Sequence, residues 1–174
     1  MMNSIISLGH LLLYVTLTPR VCVCILKVAG KWYLIGFATN AQWFVDHRAS
    51  MKMGTAILTP TAAGDLDMSY ASLSHLAKKT DVPGKFVFKS ERMDNDNDMR
   101  VVDVKYDEYA LIYTLKTNGG VSTVLNKLYG RGNQLNPQLL EKFKQFSLEN
   151  GILPENIAIL PQNGRVAQIY RCHS

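Results

Sequence analysis

From Val101 to Tyr129 the chain alternates side-chain character over three successive runs, and this constrains the fold more than any other feature. Val102, Val104 and Tyr106 alternate with Val101, Asp103 and Lys105. After a bend at Asp107-Glu108, Tyr109, Leu111, Tyr113 and Leu115 repeat the pattern. Thr117-Asn118-Gly119-Gly120 supplies a turn, and Ser122 to Tyr129 reads as the last long strand. A period of two belongs to strands with unlike faces, and the short connections make these strands antiparallel hairpins.

The same rhythm runs through the preceding eighty residues. Met51 to Thr59 reads as a strand ended by Pro60 and the Ala62-Ala63-Gly64-Asp65 turn. Leu66, Met68 and Tyr70 alternate with Asp67, Ser69 and Ala71. His75 to Thr80 is a short polar candidate, closed by Asp81-Val82-Pro83-Gly84, and Phe86 and Phe88 mark the next strand. About eight strands at near-regular spacing indicate an antiparallel sandwich or barrel. Then the period changes. Asn136-Pro137 offers an N-cap and an N1 proline, Leu139, Leu140, Phe143 and Phe146 share a helical face, and Gly151 is placed to end the helix. The expected fold is all-β with one C-terminal helix, an eight-stranded up-and-down barrel with the helix packed outside. The 174 residues suit one domain.

One stretch departs from alternation. GKWYLIGFATNAQWF, Gly30 to Phe44, is apolar on both strand faces. One face can be core and the other outer packing, or one can look into a cavity.

Charge and cysteine content narrow the function. The net charge is +5, but Lys78-Lys79 is the densest basic cluster, so a nucleic-acid partner is not expected. Ile5 to Leu17 has the length of a secretory h-region, although a basic n-region is missing and His10 interrupts it. Residues 1–20 are therefore read as a secretory segment, and the protein as extracellular. Cys22, Cys24 and Cys172 are an odd number, and neither Cys22-x-Cys24 nor Cys172-His173 matches a usual zinc spacing. Asp94-Asn95-Asp96-Asn97-Asp98 imitates a calcium loop, but Met99 occupies the glycine position and Lys105 the glutamate position. It is read as a solvated turn. His47 and His75 have no nucleophile at triad spacing, and no N-x-[ST] sequon is present. No metal and no cofactor are expected.

Gly30-Lys31-Trp32-Tyr33, Tyr106-Asp107-Glu108-Tyr109 and Leu128-Tyr129-Gly130-Arg131, in that order and followed by a helix, resemble the lipocalin family over about residues 28–162. The resemblance implies a calyx whose closed end is plugged by Trp32, with Arg131 stacked on it and Gly30 opening the strand. The domain would span residues 27–165, followed by a tail at 166–174. It assigns Lys52, Gly54, Ala56 and Leu58 to the lumen face of the second strand and Met51, Met53, Thr55 and Ile57 to the other. The ligand-contacting residues it implies are Leu34, Trp43, Phe44, Gly54, Ala56, Leu58 and Tyr70. A monomer carrying a small lipophilic molecule is expected, with a cell-surface receptor as a further partner class.

N-A-Q-W-F, Y-D-E-Y-A-L-I-Y and I-L-P-Q are similar to the prostaglandin D synthase branch of that family. Catalytic members use a cavity thiolate, and the matching position here is Gly54. The assisting hydroxyl positions fall on Leu34, Ala56 and Tyr70, of which only Tyr70 carries a hydroxyl. No catalytic residue is therefore assigned, and isomerase activity is the disfavoured alternative. A cysteine usual after the third strand is missing from the shortened run Ser69 to Leu76, which puts closure of the barrel in question. A damaged barrel that binds proteins through its loops is the third expectation.

Overall fold

A computed structural model describes residues 24–71 and 73–162, together with the backbone of 168–169. The secretory reading of residues 1–20, Cys22, Cys172 and most of the tail lie outside the described residues. Eight antiparallel strands form the barrel: β1 (Gly30–Thr39), β2 (Thr55–Pro60), β3 (Leu66–Tyr70), β4 (Leu73–Lys79), β5 (Lys85–Ser90), β6 (Asn95–Lys105), β7 (Tyr109–Asn118) and β8 (Val121–Gly130). Each pairs with its sequence neighbour, and β8 returns to β1 from Tyr33↔Gly130 to Thr39↔Leu125, so the sheet closes. Two short strands, β9 (Ile157–Ile159) and β10 (Gln168–Ile169), extend the sheet from the upper part of β1.

The shortened run after β3 does not prevent closure. β3 pairs over its whole length with β4, from Leu66↔Ala77 to Tyr70↔Leu73. The narrowest seam lies elsewhere. Only Lys78↔Val87 and Lys79↔Phe86 join β4 to β5. Farther along, the contact between them passes to side chains, with the His75 and Phe88 rings 5.1 Å apart.

Strand β1 answers the question raised by its composition. A bulge between Leu34 and Gly36 shifts its register against β8. One extra residue reverses the parity of every side chain beyond it. Trp32 and Phe37, an odd number apart, therefore both face the barrel interior. Gly36 and Ala38 are turned outward beneath helix α2 (Pro137–Glu149), where a Cβ on Gly36 would lie 2.7 Å from the Phe143 ring. Phe143 is fully buried in that contact and joins Ala38, Leu111, Leu128, Ile152 and Ile157 in an outer core. Helix α2 is bounded as its sequence indicates. Asn136 Oδ1 accepts from the Leu139 amide at 2.9 Å, Pro137 opens the helix, and Gly151 leaves it at φ +76°.

Two boundaries differ from the sequence expectation. Met51 to Gly54 is not part of β2, because its backbone is engaged sideways. The Met53 amide donates to the Pro161 carbonyl and the Leu34 amide to the Gly54 carbonyl, both at 2.9 Å. The run Asp94 to Asp98 is not a solvated turn. Asp94 alone takes a left-handed conformation, at φ 44°, and β6 begins at Asn95. Asn95 and Asn97 then point inward and are buried, with Asn97 Nδ2 donating to Asn95 Oδ1 at 2.8 Å.

The closed end is built around one indole. Trp32 is 1% exposed and donates from Nε1 to the Val28 carbonyl at 2.8 Å, tying a short 3₁₀ turn (Ile25–Val28) across the barrel floor. The Arg131 guanidinium lies 3.8 Å from the Trp32 ring centroid. Its Nε donates to the Tyr106 carbonyl at 2.8 Å, and its Nη1 and Nη2 to the Lys31 and Lys27 carbonyls, each at 3.1 Å. Gly30 lies under this fork at φ +98°, where a Cβ would be strained and 3.3 Å from Arg131 Nη1. Trp32→Ala is expected to cost about 3–5 kcal/mol in chemical denaturation. Arg131→Lys is expected to cost about 1–3 kcal/mol, because an ammonium cannot reproduce the planar fork. Denaturation midpoints unchanged by either substitution would remove the floor from the stability of the barrel.

Candidate functional site

The lumen holds a cavity of about 310 Å³ that opens at the end opposite Trp32. Its size is at the lower end of ordinary small-molecule sites. The floor and lower walls are apolar, from Val28, Trp32, Leu66, Met68, Phe86, Met99 and Ala110. These residues belong to one buried cluster spread over β1, β3, β5, β6 and β7 and the 3₁₀ turn. Inward positions two apart on each strand supply them, as strand geometry requires.

An aromatic group stands at the mouth. Trp43, on the short helix α1 (Gln42–His47), meets Phe37 edge-on at 5.8 Å between centroids. Phe44 packs against Phe37 at 5.1 Å. Trp43 lines the cavity and remains 40% exposed, whereas Phe44 is fully buried behind it.

Of the residues implied by resemblance, Trp43, Ala56, Leu58 and Tyr70 line the cavity together. Leu34, Phe44 and Gly54 are not among its lining residues. Leu34 packs against the wall from between two clusters, and Gly54 is exposed in the loop before β2 with open space where a side chain would begin. Cys24 is exposed ahead of the floor, away from the lumen lining.

The part of the site that sequence reasoning missed is polar. Lys116 on β7, Lys127 and Tyr129 on β8, and His75 on β4 all line the cavity beside Tyr70. Lys127 Nζ lies 5.3 Å from the centroid of the Tyr70 ring, and the Tyr70 and Tyr129 hydroxyls are 3.5 Å apart. The Tyr70 and His75 ring centroids are 6.4 Å apart. No aspartate or glutamate lines the cavity among the described residues. Burial pushes the Lys116 ammonium below its ordinary value, and the charge of Lys127 adds to the effect. Burial, aided by Tyr70, holds the Tyr129 phenol well above its ordinary value and so un-ionised. The signal for Lys116 lay in the alternation itself. Ala110, Ile112, Thr114 and Lys116 are the inward set of β7, opposite the more conspicuous Leu111, Tyr113 and Leu115.

A closed eight-stranded barrel with an apolar floor and one open mouth defines a single-site container for a small molecule. The sequence profile of the lipocalin / cytosolic fatty-acid binding protein family matches residues 29–164, and the chain belongs to that family. It is 44% identical over 144 residues to a lipocalin of Rhinella marina, covering 78% of this chain and 79% of that protein. It is 31% identical over 151 residues to prostaglandin-H2 D-isomerase of Mus musculus, covering 82% and 80%. Identity to the extracellular fatty acid-binding protein of Gallus gallus is 28% over 143 residues, covering 78% and 79%. Among solved structures it is similar to the siderocalin Ex-FABP, described as functioning through dual ligand specificities. That comparison gives a TM-score of 0.69 and 27% identity, and covers 80% of this chain and 97% of the other.

Histidine 75 gives the site a pH signature. Burial lowers its pKa below 6.5, and the charges of Lys127 and Lys116 lower it further. The folded protein therefore binds fewer protons at this site than the unfolded chain does. Its contribution to stability is complete above 6.5 and is lost as pH falls through the folded value. Between about pH 7.5 and 5, thermal unfolding of the native protein should shift downward more than that of His75→Gln. Parallel pH profiles would exclude His75 as the source.

Proposed function

We propose that this protein binds and carries a small lipophilic molecule in the barrel lumen, outside the cell. The observation that carries the reading is the apolar floor and lower wall, with Val28, Trp32, Met68 and Met99, below the aromatic pair Phe37 and Trp43 at the mouth. Removing about 300 Å² of apolar ligand surface from water yields about 7 kcal/mol before ordering costs. A few polar contacts bring this to the micromolar range, about −8 kcal/mol. Extracellular action is supported by the similarity to the extracellular fatty acid-binding protein of Gallus gallus and by the apolar run at Ile5 to Leu17. Binding without turnover is favoured over isomerisation. The position matched to the thiolate of catalytic relatives is Gly54, and Cys24, the described cysteine, is away from the cavity.

Trp43 provides the readout. Titration with retinol or a long-chain fatty acid should quench tryptophan emission saturably, with one molecule bound per chain. Ala56 is 1% exposed, faces the lumen and pairs with Trp32 and Tyr70 across the sheet. Ala56→Trp should fill the cavity and weaken binding at least about tenfold while the barrel stays folded, since interiors tolerate little added volume. Absence of saturable binding by folded native protein would sink the proposal.

A further inference from the structure

Lys116 is an amine whose surroundings favour its uncharged, nucleophilic form. It belongs to the inward set of β7, with Ala110, Ile112 and Thr114, and lines the cavity. Its partners across the sheet are Thr123 on β8 and Asn97 on β6, neither of them an anion. The titratable groups that share the lining are Lys127 and Tyr129 on β8, His75 on β4 and Tyr70 on β3, and none is a carboxylate. Among the described residues Lys116 enters no ion pair. Lys127, with its Nζ 5.3 Å from the Tyr70 ring centroid, is the neighbouring cation.

A lysine attacks a carbonyl only through the lone pair of its neutral amine, which an ordinary solvated ammonium rarely exposes at neutral pH. Two conditions release that lone pair: burial away from water and a second positive charge nearby. Lys116 meets both, with burial the larger effect and Lys127 the smaller. We propose that Lys116 captures lipophilic aldehydes in the lumen, its amine condensing with the carbonyl group to give a reversible imine. The Lys116 nitrogen bonds to the carbonyl carbon, and its two hydrogens leave with the carbonyl oxygen as one molecule of water. A C=N bond remains, no oxidant or reductant is consumed, and hydrolysis returns aldehyde and amine. The apolar walls below Lys116 supply the second requirement, because a chain held on Met68, Met99 and Trp32 keeps its carbonyl group at a high local concentration beside the amine. The inference rests on the carrier reading of the lumen and adds a covalent step to it.

Decanal and decan-1-ol separate the reaction from simple binding. Native protein would be incubated with decanal and sodium cyanoborohydride, which reduces the imine to a stable secondary amine, and the alkylated lysines located by peptide mass spectrometry. Near pH 7, Lys116 is expected to be labelled at least about tenfold faster than lysines outside the lining. Excess decan-1-ol, which fills the lumen without reacting, should suppress labelling at Lys116 and spare the others. Lys127→Met removes the neighbouring charge, so the pH profile of Lys116 labelling should move to higher pH. Near-ultraviolet circular dichroism checks the fold of that variant, and the labelling pattern of the native protein decides without it. Labelling of Lys116 no faster than of the outer lysines, in protein from which decan-1-ol still displaces a fluorescent lumen probe, would overturn imine formation and leave the carrier reading intact. Fast labelling that decan-1-ol does not suppress would put the reaction outside the lumen and overturn it as well. A probe displaced by neither compound, with Lys116 unlabelled, would overturn both readings.

Discussion

A guanidinium held flat against an indole fixes the end of this barrel, and the rest of the structure is arranged from that contact. The attraction between the Arg131 plane and the Trp32 face is itself modest, about 0.5–2 kcal/mol depending on desolvation. Its importance comes from the other bonds it aligns. Arg131 closes β8 and donates to carbonyls of the β6–β7 turn, of β1 and of the turn before β1. Three regions far apart in sequence, the end of β8, the β6–β7 turn and the start of β1 with the turn before it, are thus joined by one side chain, with Trp32 as the packing surface beneath. Among the described residues no comparable plug covers the opposite end.

The second constraint is that β1 must serve two interiors. Its lumen face is continuous with the ligand cavity, and its outer face meets α2 where Gly36 admits the Phe143 ring. The bulge at the middle of the strand reconciles these demands by exchanging faces between Leu34 and Gly36. Strand β6 has a similar irregularity between Val101 and Asp103. Consequently Val102 belongs to the outer core, whereas Val101 and Val104 pack with the inner one. Two small register shifts therefore let an eight-stranded sheet carry two hydrophobic faces over part of its circumference.

Much of this was legible in the sequence. Period-two alternation fixed strand type from Leu66 onward, and Asn136-Pro137 and Gly151 bounded the helix as capping chemistry requires. The family resemblance, not the alternation, put Ala56 and Leu58 on the inward face of β2, and both line the cavity. What failed did so for identifiable reasons. Alternation says that two faces differ but not which is inside, and a helix packed outside makes the outer face of β7 more apolar than the inner one. Leu111 is thus conspicuous and Lys116 is not. The polar run Asp94 to Asp98 looks solvated because composition cannot reveal that Asn95 and Asn97 turn inward and that Asn97 donates to Asn95 inside the rim. Strand β9 is three residues long, below what a periodic signal can mark. Leu34 and Phe44 are apolar and adjacent to the lumen, yet lie behind its wall, a distinction that depends on the bulge and on the turn at Asn40.

The distribution of bonding along the barrel axis connects stability with binding. At the floor, indole, guanidinium and main-chain carbonyls make a dense set of short hydrogen bonds. Toward the mouth, β4 and β5 share only two registered pairs, and ring contact between His75 and Phe88 takes over. Local opening is cheapest where backbone pairing is sparse and polar side chains are half-solvated. His75, Lys116 and Lys127 sit on that side of the cavity rather than at the floor. The repulsion between Lys116 and Lys127 therefore falls on the part of the barrel that can best yield. An uncompensated charge at the Trp32 end would oppose the contacts that close the fold, while the same charge near the mouth leaves the floor intact and tunes what the lumen accepts.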